Sequence, residues 1–251
     1  MSLSKAQLRI IRDIKIIEKD KVLRENGIFV LWDENNIFKM KVLIVGPNDT
    51  PYEKGFFFFD VNIPEDYPFK PPLVKLCTLS KNVRFNPNLY SNGKVCLSIL
   101  NTWAGPTWTA SLTLSSIFLS IQSLMNEYPL RNEPGFENET EERCNIYNNI
   151  IQYYTFEVAI RNVLIDIPLS FESFKPIINE YFINNYDKYM NKIIDLNIIH
   201  NKKKYKSPIY HMEVVCNYKF LIEEFKKINI SLNKSIDSED SNINENTSIS
   251  L

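Results

Sequence analysis

Cys96 is the side chain in this sequence whose setting best suits chemistry. It lies in Asn92-Gly93-Lys94-Val95-Cys96-Leu97, just after an Asn-Gly turn signal and inside an irregular stretch. A structural cysteine more often sits within a periodic strand or helix, as Cys77 and Cys144 do. Upstream, within Phe85-Asn86-Pro87-Asn88, stands Asn88. Its amide is a neutral donor that can stabilise an oxyanion or brace a loop, and one such donor contributes about 2.7–4 kcal/mol in acyl transfer. A cysteine hydrolase would need an imidazole to activate its thiol. The two histidines, His200 and His211, both fall late in the chain. A thiol of pKa about 8.5 is only a few per cent thiolate at neutral pH. That suffices when the incoming acyl group is already a thioester, because thiolate then displaces thiolate. The residues therefore favour thiol-to-thiol acyl transfer over peptide hydrolysis.

The elements that must position these groups follow from periodicity. Ala6, Ile10, Ile14 and Ile17 share one face of a helix over 3–19, and Lys5, Arg9, Arg12, Lys15 and Lys19 gather on the other. That basic face is either a solvated surface or a docking surface for an acidic partner. Gly27–Trp32, Ile37–Val45, Gly55–Ile63 and Leu73–Thr78 read as strands. Their short polar turns predict an antiparallel meander. Phe56 to Phe59 form an aromatic run that suits a strand buried on both faces, one covered by a helix and one by loops. Residues 79–110 lose the pattern, and long irregular connections inside a compact domain are usually functional. A helix resumes near Ser111 with a core stripe of Leu114, Ile117, Phe118, Ile121, Leu124 and Met125, and Pro129 is expected to end it. Another helix runs from Glu139 to about Leu164.

Beyond Pro168 the chain changes character. Ile178, Phe182, Tyr186, Tyr189 and Ile193 mark one helix, and Val214, Tyr218, Leu221 and Phe225 mark another. Lys202 to Lys206 reads as an exposed loop between them. The division expected is a core over 3–166, a helical extension over 167–227 and a disordered tail over 228–251, where apolar content is too sparse to offset ordering entropy.

Composition excludes several classes. The chain has 251 residues, 29 basic and 30 acidic side chains, and a net charge of -1. This balance argues against a general nucleic-acid binder. No apolar stretch is long enough to span a bilayer, so no membrane partner is expected. The first residues form a charged amphipathic pattern rather than a secretory signal. Cys77, Cys96, Cys144 and Cys216 lack metal-ligand spacing and read as free thiols in a reducing compartment, so no metal is expected.

Taken together, the motifs resemble the ubiquitin-conjugating enzyme family over roughly residues 3–166. They are the basic first helix, Gly46-Pro47 with Thr50-Pro51-Tyr52-Glu53 and Gly55, and Tyr67-Pro68-Phe69-Lys70-Pro71-Pro72. Asn86-Pro87-Asn88, the Cys96 segment and Trp108 complete the set. The lengthened link Leu97 to Trp108, with its additional Trp103, is similar to a large subclass of that family. The resemblance implies an α+β ubiquitin-conjugating fold: a four-stranded antiparallel meander flanked by helices, here with a C-terminal helical extension.

The resemblance also implies roles. Cys96 would accept ubiquitin or a ubiquitin-like modifier as a thioester, and Asn88 would stabilise the oxyanion or brace the loop during lysine attack. Lys5, Arg9 and Arg12 would face the activating enzyme, and Phe69 a ligase. Lysines of protein substrates would be the acceptors, with no cofactor, in the cytoplasm and also the nucleus. Three departures stand out. Asn86 replaces the family's usual histidine, and Ala110 replaces a proline of the second ligase-contact loop. The acidic gate that helps deprotonate the lysine falls at Asn132-Glu133. Spacing favours Asn132, which leaves positioning and hydrogen bonding, whereas Glu133 would supply a carboxylate. A silent scaffold on the same fold is disfavoured because Cys96 and Asn88 are both retained. The extension either covers a face of the core or selects an activating enzyme or modifier.

Overall fold

The computed structural model describes residues 3–247, with side chains through Lys234. Ser4 and Gln7 close a capping box that starts α1 (Lys5–Lys19), and Asp20 accepts from Val22 N and Leu23 N to start the short α2 (Lys21–Glu25). As the periodicity predicts, Ala6, Ile10, Ile14 and Ile17 are buried.

The strands β1 (Ile28–Trp32), β2 (Lys39–Val45), β3 (Phe56–Asn62) and β4 (Leu73–Leu76) pair in sequence order as an antiparallel meander. Val42 faces Phe59 and Ile44 faces Phe57, while Leu43 faces Phe58. All four phenylalanines of β3 are fully buried, so both faces of this strand are covered. Gly55 permits that covering on one face, because a Cβ there would lie 2.7 Å from Thr155 Cγ2 and 3.2 Å from Ala159 Cβ. The edge strand ends at Leu76 rather than Thr78. Past it, the Thr78 hydroxyl accepts from Phe58 N and donates to Phe56 O, a side chain substituting for the backbone ladder.

Thr113 caps α3 (Leu114–Leu124). This helix stops before Pro129, which instead opens a 3₁₀ turn over Pro129–Asn132. The stop comes from side chains: the Leu124 carbonyl accepts from both Asn86 Nδ2 (2.7 Å) and Asn132 Nδ2 (2.9 Å). The helix expected over 139–164 is α4 (Glu141–Tyr154), a π-helical stretch Thr155–Asn162 and the short α5 (Val163–Ile165).

The chain divides into two compact units. One runs through Ile160 and includes Tyr205–Val214; the other comprises Arg161–Lys204 and the chain from Val215 onward. The boundary expected near residue 166 therefore misses a later segment that belongs to the first unit. In the second unit, the single helix expected over Ile178, Phe182, Tyr186, Tyr189 and Ile193 is two, α6 (Lys175–Asn184) and α7 (Tyr186–His200), broken at Asn185, and Tyr218, Leu221 and Phe225 line α8 (Tyr218–Thr247) as expected. Phe182 stacks on Tyr189 with ring centroids 5.3 Å apart and meets Phe225 edge-on at 5.6 Å. Three further expectations change here. Lys204–Lys206 is strand β5 rather than loop, and Val214 lies in strand β6 (Glu213–Val215) rather than in the following helix; β5 and β6 pair as a hairpin. α8 continues to Thr247, so the boundary expected at residue 228 falls inside this helix.

Candidate active site

The segment bearing Cys96 is docked on the edge of the sheet. Asn92-Gly93 makes the turn expected of it, with Gly93 at φ 90°, and Lys94 N bonds to Asn92 Oδ1. Leu76 N donates to Gly93 O at 2.8 Å, and a Cβ on Gly93 would lie 2.6 Å from Leu76 O. Only glycine lets the turn approach β4 this closely. Bridges from Lys75 to Lys94 and from Leu89 to Val95 carry the register onward to Cys96.

Asn88 and Cys96 clasp each other in both directions. Cys96 N donates to Asn88 O at 2.8 Å, and Asn88 Nδ2 donates to Cys96 O at 2.9 Å. Asn88 Oδ1 is buried without a hydrogen-bond partner among the described residues. The Thr102 hydroxyl brackets the cysteine from the other side: it donates to Val95 O (2.8 Å) and accepts from Leu97 N (3.0 Å). Cys96 itself has no exposed surface. Both neighbouring peptides are thus pinned, which fixes where the sulfur emerges from the backbone. Thr102 was not singled out from sequence, since a threonine in an irregular loop carries no periodic signal.

Asn86, in place of the expected histidine, organises the turn beneath. Its Nδ2 donates to Tyr52 Oη (2.9 Å) and Leu124 O, and its Oδ1 accepts from Asn88 N (2.9 Å). Tyr52 Oη in turn donates to Phe85 O at 2.6 Å. Asn132 joins the same network: it donates to Leu124 O and more weakly to Asn86 Oδ1 (3.4 Å), and accepts from Asn126 Nδ2. Its amide is thereby spent on holding the turn. The adjacent Glu133 carboxylate accepts from the Tyr210 hydroxyl.

The predicted partner-facing residues separate into two groups. Lys5 and Arg12 are exposed along α1, and Arg12 lines a surface groove with Leu8, Ile11, Lys15, Ile16 and Lys19. Arg9 is not free in the same way. Its guanidinium pairs with the buried Asp13 at 3.0 Å and donates to Ala110 O (2.7 Å) and Leu112 O (2.6 Å), tying α1 to the segment before α3. Asp13 also accepts from Tyr67 Oη. Phe69 is 75% exposed. It follows Pro68, whose carbonyl accepts from Trp108 Nε1 at 2.7 Å. Among the described residues, no cluster of His, Cys, Asp or Glu is placed to hold a metal, and no helix is long and apolar enough to cross a membrane.

A four-stranded meander with flanking helices, and a cysteine segment clasped by an Asn-Pro-Asn turn, define a ubiquitin-conjugating domain. The family model described as ubiquitin-conjugating enzyme matches residues 9–158, and the chain belongs to that family. It is 47% identical over 184 residues to ubiquitin-conjugating enzyme E2 Z of Homo sapiens, covering 72% of this chain and 51% of that protein. The Xenopus tropicalis E2 Z is equally similar, with 58% of its length covered. Human BIRC6, a dual E2 ubiquitin-conjugating enzyme and E3 ubiquitin-protein ligase, is 52% identical over 118 residues, which span 45% of this chain and 2% of that protein. The chain thus spans just over half the length of the E2 Z relatives it matches.

Proposed function

We propose that the chain is an active ubiquitin-conjugating enzyme with Cys96 as its acceptor thiol. The observation that carries this reading is the pinned geometry of Cys96, held by Asn88 on one side and Thr102 on the other. In the first step the Cys96 thiolate attacks the modifier's C-terminal carbonyl in the activating enzyme's thioester. A new thioester forms at Cys96 and the activating enzyme's thiolate leaves. Docking on the exposed Lys5 and Arg12 face supplies the effective concentration. In the second step a substrate lysine amine attacks the Cys96 thioester. The neutral amine attacks, its surplus proton passes to solvent water, an isopeptide bond forms and the Cys96–carbonyl bond breaks as the Cys96 thiolate leaves.

Asn88 serves both states in this reading. At rest its amide braces the Cys96 carbonyl; during lysine attack it turns to the developing oxyanion. Asn132 holds the turn that carries Asn88, and Phe69 meets a ligase when one takes part. The modifier is ubiquitin or a relative, the acceptors are protein lysines, and the work is done in the cytoplasm and nucleus.

The test incubates the purified chain with ubiquitin, ATP and each of a set of activating enzymes. A reductant-sensitive adduct that becomes reductant-resistant in Cys96→Ser, as an ester, is the expected result. No adduct with any activating enzyme and any ubiquitin-like modifier would overturn the reading in favour of a scaffold.

A further inference from the structure

The Tyr205–Val214 hairpin reaches the first compact unit from far along the chain, and its tip lies against the segment that carries Asn88. Met212 Sδ accepts from Arg84 N at 3.2 Å, across 128 residues of sequence. The Arg84 guanidinium is sandwiched between two aromatic rings, 3.6 Å from the Tyr90 centroid and 3.9 Å from the Tyr210 centroid. From that sandwich Arg84 Nη2 donates to Pro87 O, inside the Asn86-Pro87-Asn88 turn. Tyr147 Oη holds the Arg84 carbonyl at 3.1 Å. The Tyr210 hydroxyl bonds to Glu133, next to the Asn132 amide that joins the Asn86 network.

The hairpin tip is also conformationally unusual. Tyr210 and His211 occupy the left-handed region in succession, with φ of 65° and 54°. Glycine or asparagine is favoured at such paired positions, and a tyrosine there is strained. Strain of this kind persists where surrounding contacts over-determine it, and its presence points to a task for the residue. The backbone here gives up an easier turn in order to place an aromatic ring on Arg84.

We propose that Tyr210 is a positioning residue for the lysine-transfer step, acting through Arg84 on the turn that carries Asn88. The ring of Tyr210 closes the second side of the guanidinium, and a guanidinium held between two π faces keeps a single orientation. That orientation directs an N–H at Pro87 O and so fixes the peptide leading into Asn88. The hydroxyl bond to Glu133 holds Tyr210 in place. The hairpin is thereby part of the transfer machinery. This inference rests on the conjugating activity proposed above.

The test separates transfer from loading. Wild type, Tyr210→Ala, Tyr210→Phe and Arg84→Lys are each charged with ubiquitin to the same level, the charging reaction is stopped, and thioester loss is timed against free lysine at a series of concentrations. Tyr210→Ala is expected to lower the saturating rate by about tenfold to a hundredfold, the scale of a slightly displaced catalytic group, while the half-saturating lysine concentration stays put. Tyr210→Phe keeps the ring on Arg84 and is expected to regain most of that rate. Arg84→Lys keeps the charge but loses the planar fork and should reproduce the slow phenotype with Tyr210 intact. If Tyr210→Ala does not fold, by circular dichroism, the comparison of Tyr210→Phe with Arg84→Lys carries the test alone.

Three results would each overturn the proposal. They are Tyr210→Ala or Arg84→Lys transferring at the wild-type rate, a change confined to the half-saturating concentration, and Tyr210→Phe as slow as Arg84→Lys. A wild-type chain that cannot be charged at all would instead refute the activity on which the proposal rests.

Discussion

Replacing Asn86 by alanine removes the side chain around which the candidate site is built, and the structure says what is left behind. Asn86 has no exposed surface. Of its partners, Leu124 O keeps a donor in Asn132 Nδ2, and Tyr52 Oη keeps its acceptor in Phe85 O. Asn88 N does not: its bond to Asn86 Oδ1 is lost and the group stays buried. One stranded buried amide costs about 1–3 kcal/mol, and each further lost bond about 0.5–1.5 kcal/mol net. A loss of about 3 kcal/mol follows, before any term for the small cavity. At roughly 2–4 °C per kcal/mol for a domain of this size, the unfolding midpoint should fall by about 6–12 °C. A histidine at 86 restores one donor and one acceptor, enough for Asn88 N and one carbonyl, so Asn86→His should recover more than half of the loss. Thermal unfolding of the three proteins in one buffer is the assay. An Asn86→Ala midpoint within about 2 °C of wild type, less than 1 kcal/mol on the same scale, would refute the assignment of Asn86 as the organiser of the turn.

Two further predictions concern catalysis and pH. Asn88→Ala should slow lysine transfer by about a hundredfold to a thousandfold, the effect of losing one oxyanion donor, and slow loading far less; equal slowing of both steps, measured in single turnover, would reduce Asn88 to a brace. Burial pushes the hydroxyls of Tyr52, Tyr67, Tyr147 and Tyr210 well above their ordinary value near 10, with bonds to Asp13 and Glu133 adding to the shift at Tyr67 and Tyr210. The folded state therefore retains protons that the unfolded state releases above about pH 10, so this stability is intact below that pH and is lost progressively above it, as pH climbs toward the raised folded-state values. Tyrosinate absorbance should show these residues ionising together with a cooperative alkaline unfolding, and a smooth titration of all 13 tyrosines near pH 10 in a folded chain would contradict it.

The parts of the fold that were legible in the sequence are those set by local rules. The α1 stripe, the order of the four strands, the aromatic run of β3 and the Asn92-Gly93 turn all follow from neighbours a few residues apart. The errors arise where a distant side chain intervenes. Thr78 takes over the hydrogen bonds of the edge strand, so β4 stops early. Asn86 and Asn132 cap Leu124, so α3 ends without the help of Pro129. Arg9 has the spacing of a surface cation but turns inward, because Asp13 lies one helical turn away and two carbonyls lie within reach. Spacing reports the face a residue starts from and leaves out what a long side chain can reach from there.

The candidate site divides the same way. Cys96, Asn88 and the absence of an early histidine are composition and spacing, and they were enough to favour thioester chemistry. The support around them is assembled from separate stretches of chain: Tyr52 on the loop before β3, Leu124 at the end of α3, Asn132 in the 3₁₀ turn that follows, Tyr147 on α4, and Tyr210 on a hairpin beyond α7. A protein that holds a cysteine segment by packing has to draw those contacts from wherever the fold brings them. The cysteine's motif can therefore be short and local, whereas its placement depends on residues that no local pattern marks. On that view an asparagine can stand at position 86, because its amide supplies a histidine's one donor and one acceptor together with a second donor bond, to Tyr52 Oη.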